Sequence, residues 1–150
     1  MPALDDIKIV DLTRVVAGPF CAALLADMGA DVIKVEHPGK GDQVRGQGAM
    51  LNGISTYFAQ YNRNKRSVTI DLYTDDGKAI LGDMIRGADV LLENYRPGVL
   101  AKMGFDDGRL KLLNPDLIVG SVNGYGSTGP YKDWPSFDFI AQAMSGFMSV

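Results

Sequence analysis

One cysteine, one histidine and one tryptophan occur in the 150 residues, and the first two scarcities each remove a class of chemistry. The lone Cys21 excludes an internal disulfide and any zinc site built on cysteines. It suits a reducing compartment and reads as a small buried hydrophobe. His37 is the only imidazole, so a catalytic triad or Cys/His pair has no second histidine to draw on, and no G-x-S-x-G elbow presents a serine. The carboxylates are scattered without metal-ligand spacing, so no metal is expected. A run of about 18 apolar residues is also missing, and Asp5, Asp6 and Lys8 interrupt any N-terminal leader. No membrane segment is expected, and the cytoplasm is the default location. A net charge of -3 supplies no general field for nucleic acid or an anionic membrane, so an anion site must be a local cluster.

What remains is the composition of one ordinary globular domain, with 46% hydrophobic and 22% charged residues. Eighteen glycines lie mostly between apolar runs and announce many tight loops. Short β-branched runs at Ile7 to Leu12, Asp31 to Val35, Ser67 to Leu72, Asp89 to Glu93 and Leu117 to Val122 read as strands. Helical spacing separates them. Phe20, Ala23, Leu24 and Met28 share a face within Pro19 to Met28, and Ile80, Met84 and Ile85 do so within Asp75 to Gly87.

The first and last strands are nearly continuous in apolar residues, as strands covered on both faces by helices require. The expected fold is therefore α/β, a parallel sheet with helices on both faces. Gly18-Pro19 suits a first helical turn, Thr74 with Asp75 and Asp76 supplies a cap and negative charge, and Gly29 and Gly87 mark helix ends. His37 to Gly53 reads as a long loop leading into a short helix at Thr56 to Gln60. After the glycine-rich loop Gly124 to Pro135, Asp138 is expected to cap a helix running through Ser145.

Ligands of open α/β sheets bind beyond the carboxyl ends of the strands. Three segments there or nearby could bind. Thr13 to Pro19 has small residues that let a phosphate or nucleotide approach backbone N–H groups at a helix start, or it is simply a tight turn. Asn62-Arg63-Asn64-Lys65-Arg66 places three cations before a strand, either for a polyphosphate or as a solvated face. Glu93 to Gly98 joins an amide, a flat ring and a guanidinium, which an adenine nucleotide could use for edge contacts, stacking and phosphate pairing. Glu36, about 20 residues after the first loop, stands where an acid would hold a dinucleotide's ribose. The glycine fingerprint of such sites is absent, because Gly18 stands alone.

Taken together, the segments Val10-Asp11-Leu12-Thr13, Ala17-Gly18-Pro19, Leu25 to Glu36, Gly41-Asp42, Asn64-Lys65-Arg66-Ser67, Glu93 to Gly98, Gly124 to Tyr131 and Asp138 to Ala143 resemble the family III CoA-transferases, the CaiB/BaiF family. The resemblance covers essentially the whole chain. It implies a Rossmann-like, CoA-binding N-terminal domain over residues 1–150, with the remainder of the enzyme absent. It implies that Val16 and Ala17 lie against coenzyme A and that Ile70 flanks the adenine. Asn94, Tyr95 and Arg96 would form the nucleotide-binding turn, with Lys102 near the phosphates. His37 falls where members often carry an arginine, and a neutral imidazole makes a weaker phosphate clamp.

The same resemblance implies transfer of CoA from an acyl-CoA to a small carboxylic acid through a covalent aspartyl intermediate, its nucleophile beyond Val150. It further implies an interlocked homodimer. The related α-methylacyl-CoA racemases use a histidine immediately before the position of Asp138. Phe137 stands there and cannot exchange a proton. A stand-alone CoA- or nucleotide-binding module is the remaining alternative.

Overall fold

In the computed structural model of the protein, which describes residues 1–149, the chain alternates strands and helices. In order these are β1 (Lys8–Asp11), α1 (Ala17–Asp27), β2 (Asp31–Glu36), a 3-10 turn (Gln43–Gly46), β3 (Met50–Leu51), β4 (Ile54–Ser55) and α2 (Thr56–Asn62). Then come β5 (Lys65–Thr69), α3 (Asp75–Arg86), β6 (Val90–Glu93), α4 (Val99–Lys102), α5 (Asp107–Leu113), β7 (Ile118–Ser121), α6 (Asp138–Met144) and a 3-10 turn (Phe147–Ser149). Five strands form one parallel sheet in the order β5-β2-β1-β6-β7, while β3 and β4 make a small antiparallel hairpin.

Strand alternation sends neighbouring residues to opposite faces, and the core is accordingly double. Val10, Leu12 and Leu91 join Leu81 and Ile85 of α3 and Leu110 of α5 in one cluster. Ile9, Val32 and Leu92 join Ala22 and Ala26 of α1 in the other. Burying a side chain such as Leu81 contributes about 1.5–3 kcal/mol. The expected α/β sheet with helices on both faces is therefore what forms, with β1 at its centre.

Helix starts follow local chemistry. The Thr74 hydroxyl accepts the Gly77 N–H at 3.0 Å at the start of α3, with Asp75 and Asp76 in the first turn. Ser55 does the same for Phe58 at 3.0 Å, which starts α2. Gly29, at φ +108, ends α1 in a conformation other residues resist.

Four expectations change. β5 begins at Lys65 and ends at Thr69, so Ile70 and Leu72 follow the strand; the register of β5 on β2, from Lys65 opposite Val32 to Thr69 opposite Glu36, is set by pairing rather than by its own apolar residues. The loop after His37 contains the 3-10 turn and the β3–β4 hairpin. β7 has the apolar run of a buried strand, yet among the described residues it pairs with β6 alone, and Ile118 is 64% exposed. Finally, Asp138 does not cap α6. Phe137 holds the N-cap position, and Asp138 lies in the first turn, where it accepts a hydrogen bond from the Gln142 amide.

Candidate functional site

Chain order reverses between β1 and β6: β2 and β5 lie to one side of β1, and β6 and β7 to the other. Such a switch point splays the following loops apart and leaves a crevice at the strands' carboxyl ends. Two loops border it here, Leu12 to Val16 after β1 and Asn94 to Gly98 after β6. They are stitched together by one side chain. The Asn94 amide accepts the Arg14 N–H at 2.8 Å and donates to the Arg14 carbonyl at 2.7 Å. The Arg14 guanidinium lies over the Tyr95 ring, 5.3 Å from its centroid. Burial pushes the Tyr95 phenol up, opposed by the charge and hydrogen bond of Arg14.

The first loop is bent in an unusual way. Val15 has φ 71, the left-handed region that a β-branched residue enters only at a cost. Its N–H points to the carboxylate of Asp42, at 3.3 Å and 3.2 Å from the two oxygens. Gly18 is required next to it, because a Cβ there would fall 2.4 Å from Cβ of Thr13. Among the described residues no side chain caps α1, whose first-turn N–H groups have no partner within the helix.

Beneath these loops lies a band of buried charge. Lys34, on β2 beside the central strand, places its amine 3.0 Å from Asp42 and donates to the Thr13 carbonyl at 2.7 Å. Lys65 donates to Asp11 at 2.8 Å, to the Pro19 carbonyl at 2.9 Å and to Asn62 at 3.1 Å. The other Asp11 oxygen accepts the N–H and hydroxyl of Thr13. Burial pushes the Lys65 amine below its ordinary value, and the Asp11 charge and hydrogen bond oppose that. Glu36 accepts both Arg45 nitrogens, at 2.8 Å and 2.6 Å, the Ser67 hydroxyl at 2.6 Å and the Asp42 N–H at 2.8 Å. Burial alone would push its carboxyl up, but those hydrogen bonds and the Arg45 charge outweigh it and hold it at about 2 against an ordinary 4.5.

The expected site residues divide by position. Val16 occupies the N-cap position of α1 and Ala17 begins the helix. Asn94, Tyr95 and Arg96 form the facing turn, so these five border the crevice. His37 follows β2, its ring edge-on to Tyr73 at 6.0 Å and its Nδ1 2.7 Å from the Pro38 carbonyl. Ile70 is buried in the same apolar cluster as Val35 and Leu72. Lys102 is exposed at the end of α4. An open cleft of about 470 Å³ lies beside the turn, over β6 and β7. Glu93, Pro97 and Gly98 line it where it meets the turn, and Leu100, Phe105 and Ser121 line it further out.

The alternatives that the sequence left open are narrowed. In the Asn62 to Arg66 cluster the cations are engaged within the chain, Arg63 with Asp27, Lys65 with Asp11 and Arg66 with Asp31, which favours the reading without a polyphosphate. Glu36, already without the glycine fingerprint of a dinucleotide site, has both its oxygens taken up by Arg45, Ser67 and Asp42. Arg14, Lys34 and Asp42 went unnoticed as working residues. A lysine inside the apolar run of β2 was the available signal, since a buried amine demands a buried partner. Among the described residues, no three His, Cys, Asp or Glu side chains gather to hold a metal, and no helix is long and apolar enough to cross a membrane.

Comparison with known proteins shows the family. The family model for CoA-transferase family III matches residues 4–150. A succinate–glutarate CoA-transferase of Agrobacterium fabrum is 46% identical over 156 residues, covering 99% of this chain and 39% of its own length. A formyl-CoA:oxalate CoA-transferase of Rhodopseudomonas palustris is 47% identical over 148 residues, covering 98% of this chain and 35% of that protein. The crystal structure of a CaiB/BaiF family protein from Brucella suis superposes with a TM-score of 0.92 at 42% identity, over 99% of this chain and 40% of that one. The chain thus spans well under half the length of these relatives. With the family model matched nearly end to end and the same backbone found in a solved member, the chain belongs to CoA-transferase family III.

Proposed function

We propose that the protein is a CoA-transferase that moves CoA from an acyl-CoA thioester to a small carboxylic acid, and that residues 1–150 form its CoA-binding domain. The observation that carries this reading is the pair of loops at the β1–β6 switch point, locked by Asn94 on Arg14 in a chain whose relatives are named CoA-transferases. Val16, Ala17, Asn94, Tyr95 and Arg96 would contact the nucleotide, with the first turn of α1 offering N–H groups to a phosphate. His37, Ile70 and Lys102 complete the proposed set. In this reading Ile70 acts from beneath, shaping the adenine side through the core it belongs to.

The attacking group in this proposal is an aspartate beyond Val150. Its carboxylate adds to the thioester carbonyl and expels the CoA thiolate, leaving a mixed anhydride. The thiolate then attacks the aspartyl carbonyl, releasing the first carboxylate and leaving an aspartyl-CoA thioester. The acceptor repeats the two steps in reverse and departs as its CoA ester. Covalent catalysis of this kind divides one difficult exchange into easier ones. An interlocked homodimer is part of the proposal, supported by the exposed apolar side chains of β7 and around α6, where Phe137 and Phe139 are each 73% exposed. A reducing, cytoplasmic setting is supported by the unpaired Cys21.

The full-length protein, incubated with an acyl-CoA and then with hydroxylamine or borohydride, should yield one modified aspartate by mass spectrometry. An unmodified protein would overturn the covalent route. Deuterium entering the α-carbon of a branched acyl-CoA in heavy water would instead mark a racemase, which Phe137 argues against. Calorimetric titration of residues 1–150 with CoA, ADP and NAD separates the module reading: CoA-selective binding by a stable monomer would favour a self-sufficient module.

A further inference from the structure

The geometry points to Asp42 as a positioning residue for the ligand loop, acting through the backbone of Val15; this rests on the CoA-binding reading above. Asp42 is 2% exposed and is held on several sides at the loop's base. Its carboxylate accepts the Val15 N–H and the Val44 N–H, the latter at 3.2 Å, and pairs with the Lys34 amine at 3.0 Å. Its own N–H is fixed by Glu36 at 2.8 Å, so the residue has little freedom to follow the loop if the loop relaxes.

The reason for such a clamp is the conformation it holds. Val15 at φ 71 opposes its own preference, and a β-branched residue left to itself returns to extended backbone. That return would rotate Val16 and the first N–H groups of α1 away from the crevice, because Val16 is the next residue and occupies the helix's N-cap position. Asn94 fixes the Arg14 peptide on one side of Val15. Gly18, pressed against Thr13, fixes the other. Asp42 holds the strained residue between them. Lys34 has a second task in the same place, since it donates to the Thr13 carbonyl while neutralising Asp42.

The decisive test pairs a loss with a rescue. In the full-length protein, Asp42→Asn should weaken CoA binding by about tenfold or more in calorimetry, the population cost of a left-handed β-branched residue no longer held by a charge. Adding Val15→Gly should recover most of that affinity, because glycine adopts positive φ without steric cost. A merely structural Asp42 would lower the melting temperature but would gain nothing from glycine at 15. Should Asp42→Asn fold poorly through its unpaired lysine, Lys34→Met with Asp42→Asn removes the stranded charge; because it also removes the donor to the Thr13 carbonyl, only the affinity that Val15→Gly restores in that background is ascribed to Asp42, and some restoration is expected. Hydrogen exchange at the Val15 amide, read without ligand, should accelerate in either variant. Affinity within threefold of wild type, no rescue by Val15→Gly, or unchanged amide exchange would each overturn the assignment. A wild-type protein that binds no CoA would sink the functional reading instead, while amide exchange still reports whether Asp42 holds the loop.

Discussion

Replacing Glu36 by glutamine should produce a stability deficit that depends on pH, and the size of that dependence follows from the contacts already described. The folded carboxyl sits at about 2 against 4.5 when free, so the folded state binds its proton less tightly than the unfolded one. Stability from this group is therefore fully present above about pH 4.5 and is lost as pH falls through 2. Each tenfold change in proton affinity corresponds to about 1.4 kcal/mol, which sets an upper bound of about 3 kcal/mol. The Arg45 side chain is 43% exposed, and water screens it, bringing the expected contribution to about 2 kcal/mol. Urea unfolding followed by far-ultraviolet circular dichroism, on wild type and Glu36→Gln, gives the gap at each pH. Acid-labile groups elsewhere affect both proteins alike and cancel. The gap should narrow by about 1–2 kcal/mol between about pH 6 and pH 2.5. A gap of the same size at both ends would refute the reasoning, since it would mean that packing, not charge, makes Glu36 important.

Lys65→Met should cost about 3–5 kcal/mol in the same assay, because it strands Asp11 as a buried charge, whereas Arg66→Ala, which breaks an exposed pair with Asp31, should cost under about 1 kcal/mol. Two glycines of α3 should respond with opposite sign: Gly77→Ala forces a Cβ to 2.0 Å from the Asp71 carbonyl and should lower thermal stability by about 1–3 kcal/mol. Gly82→Ala, whose nearest neighbour is a Leu113 methyl at 3.8 Å, should raise it by about 0.5–1 kcal/mol. Asn94→Ala should lower stability by only about 0.5–1.5 kcal/mol, because the two Arg14 main-chain groups it releases are exposed and can turn to water, yet it should weaken CoA binding by calorimetry.

The sheet was legible because its signals are local. Ile9 and Val10 alternate across β1, and Thr74 with two aspartates starts α3, each pattern lying within a few residues. Where a residue's partner is distant, the reading failed. Ile70 and Leu72 are apolar enough to draw the strand toward themselves, yet β5 starts at Lys65, whose amine meets a carboxylate 54 residues earlier. The same distance hid the roles of Arg63 and Arg66, which resemble an anion site until Asp27 and Asp31 are brought beside them. The Asn94 to Arg96 turn stood out by its residue types, and the structure sets it directly after β6, facing the loop that follows β1. Arg14 and Asp42 were not singled out, because their work passes through backbone groups that no side-chain pattern records.

The Asn94 clasp also bears on when the crevice comes into being. Its two halves are 80 residues apart, and β6 reaches β1 only after β2, β5 and three helices have been laid down between them. Parallel pairings of such long range close slowly, since the loop entropy must be met before the contacts reward it. A partly folded chain lacking β6 has one wall of the crevice and no clasp. A nucleotide held there can therefore recognise only the completed sheet, and would act as a brake on unfolding rather than as a guide to folding.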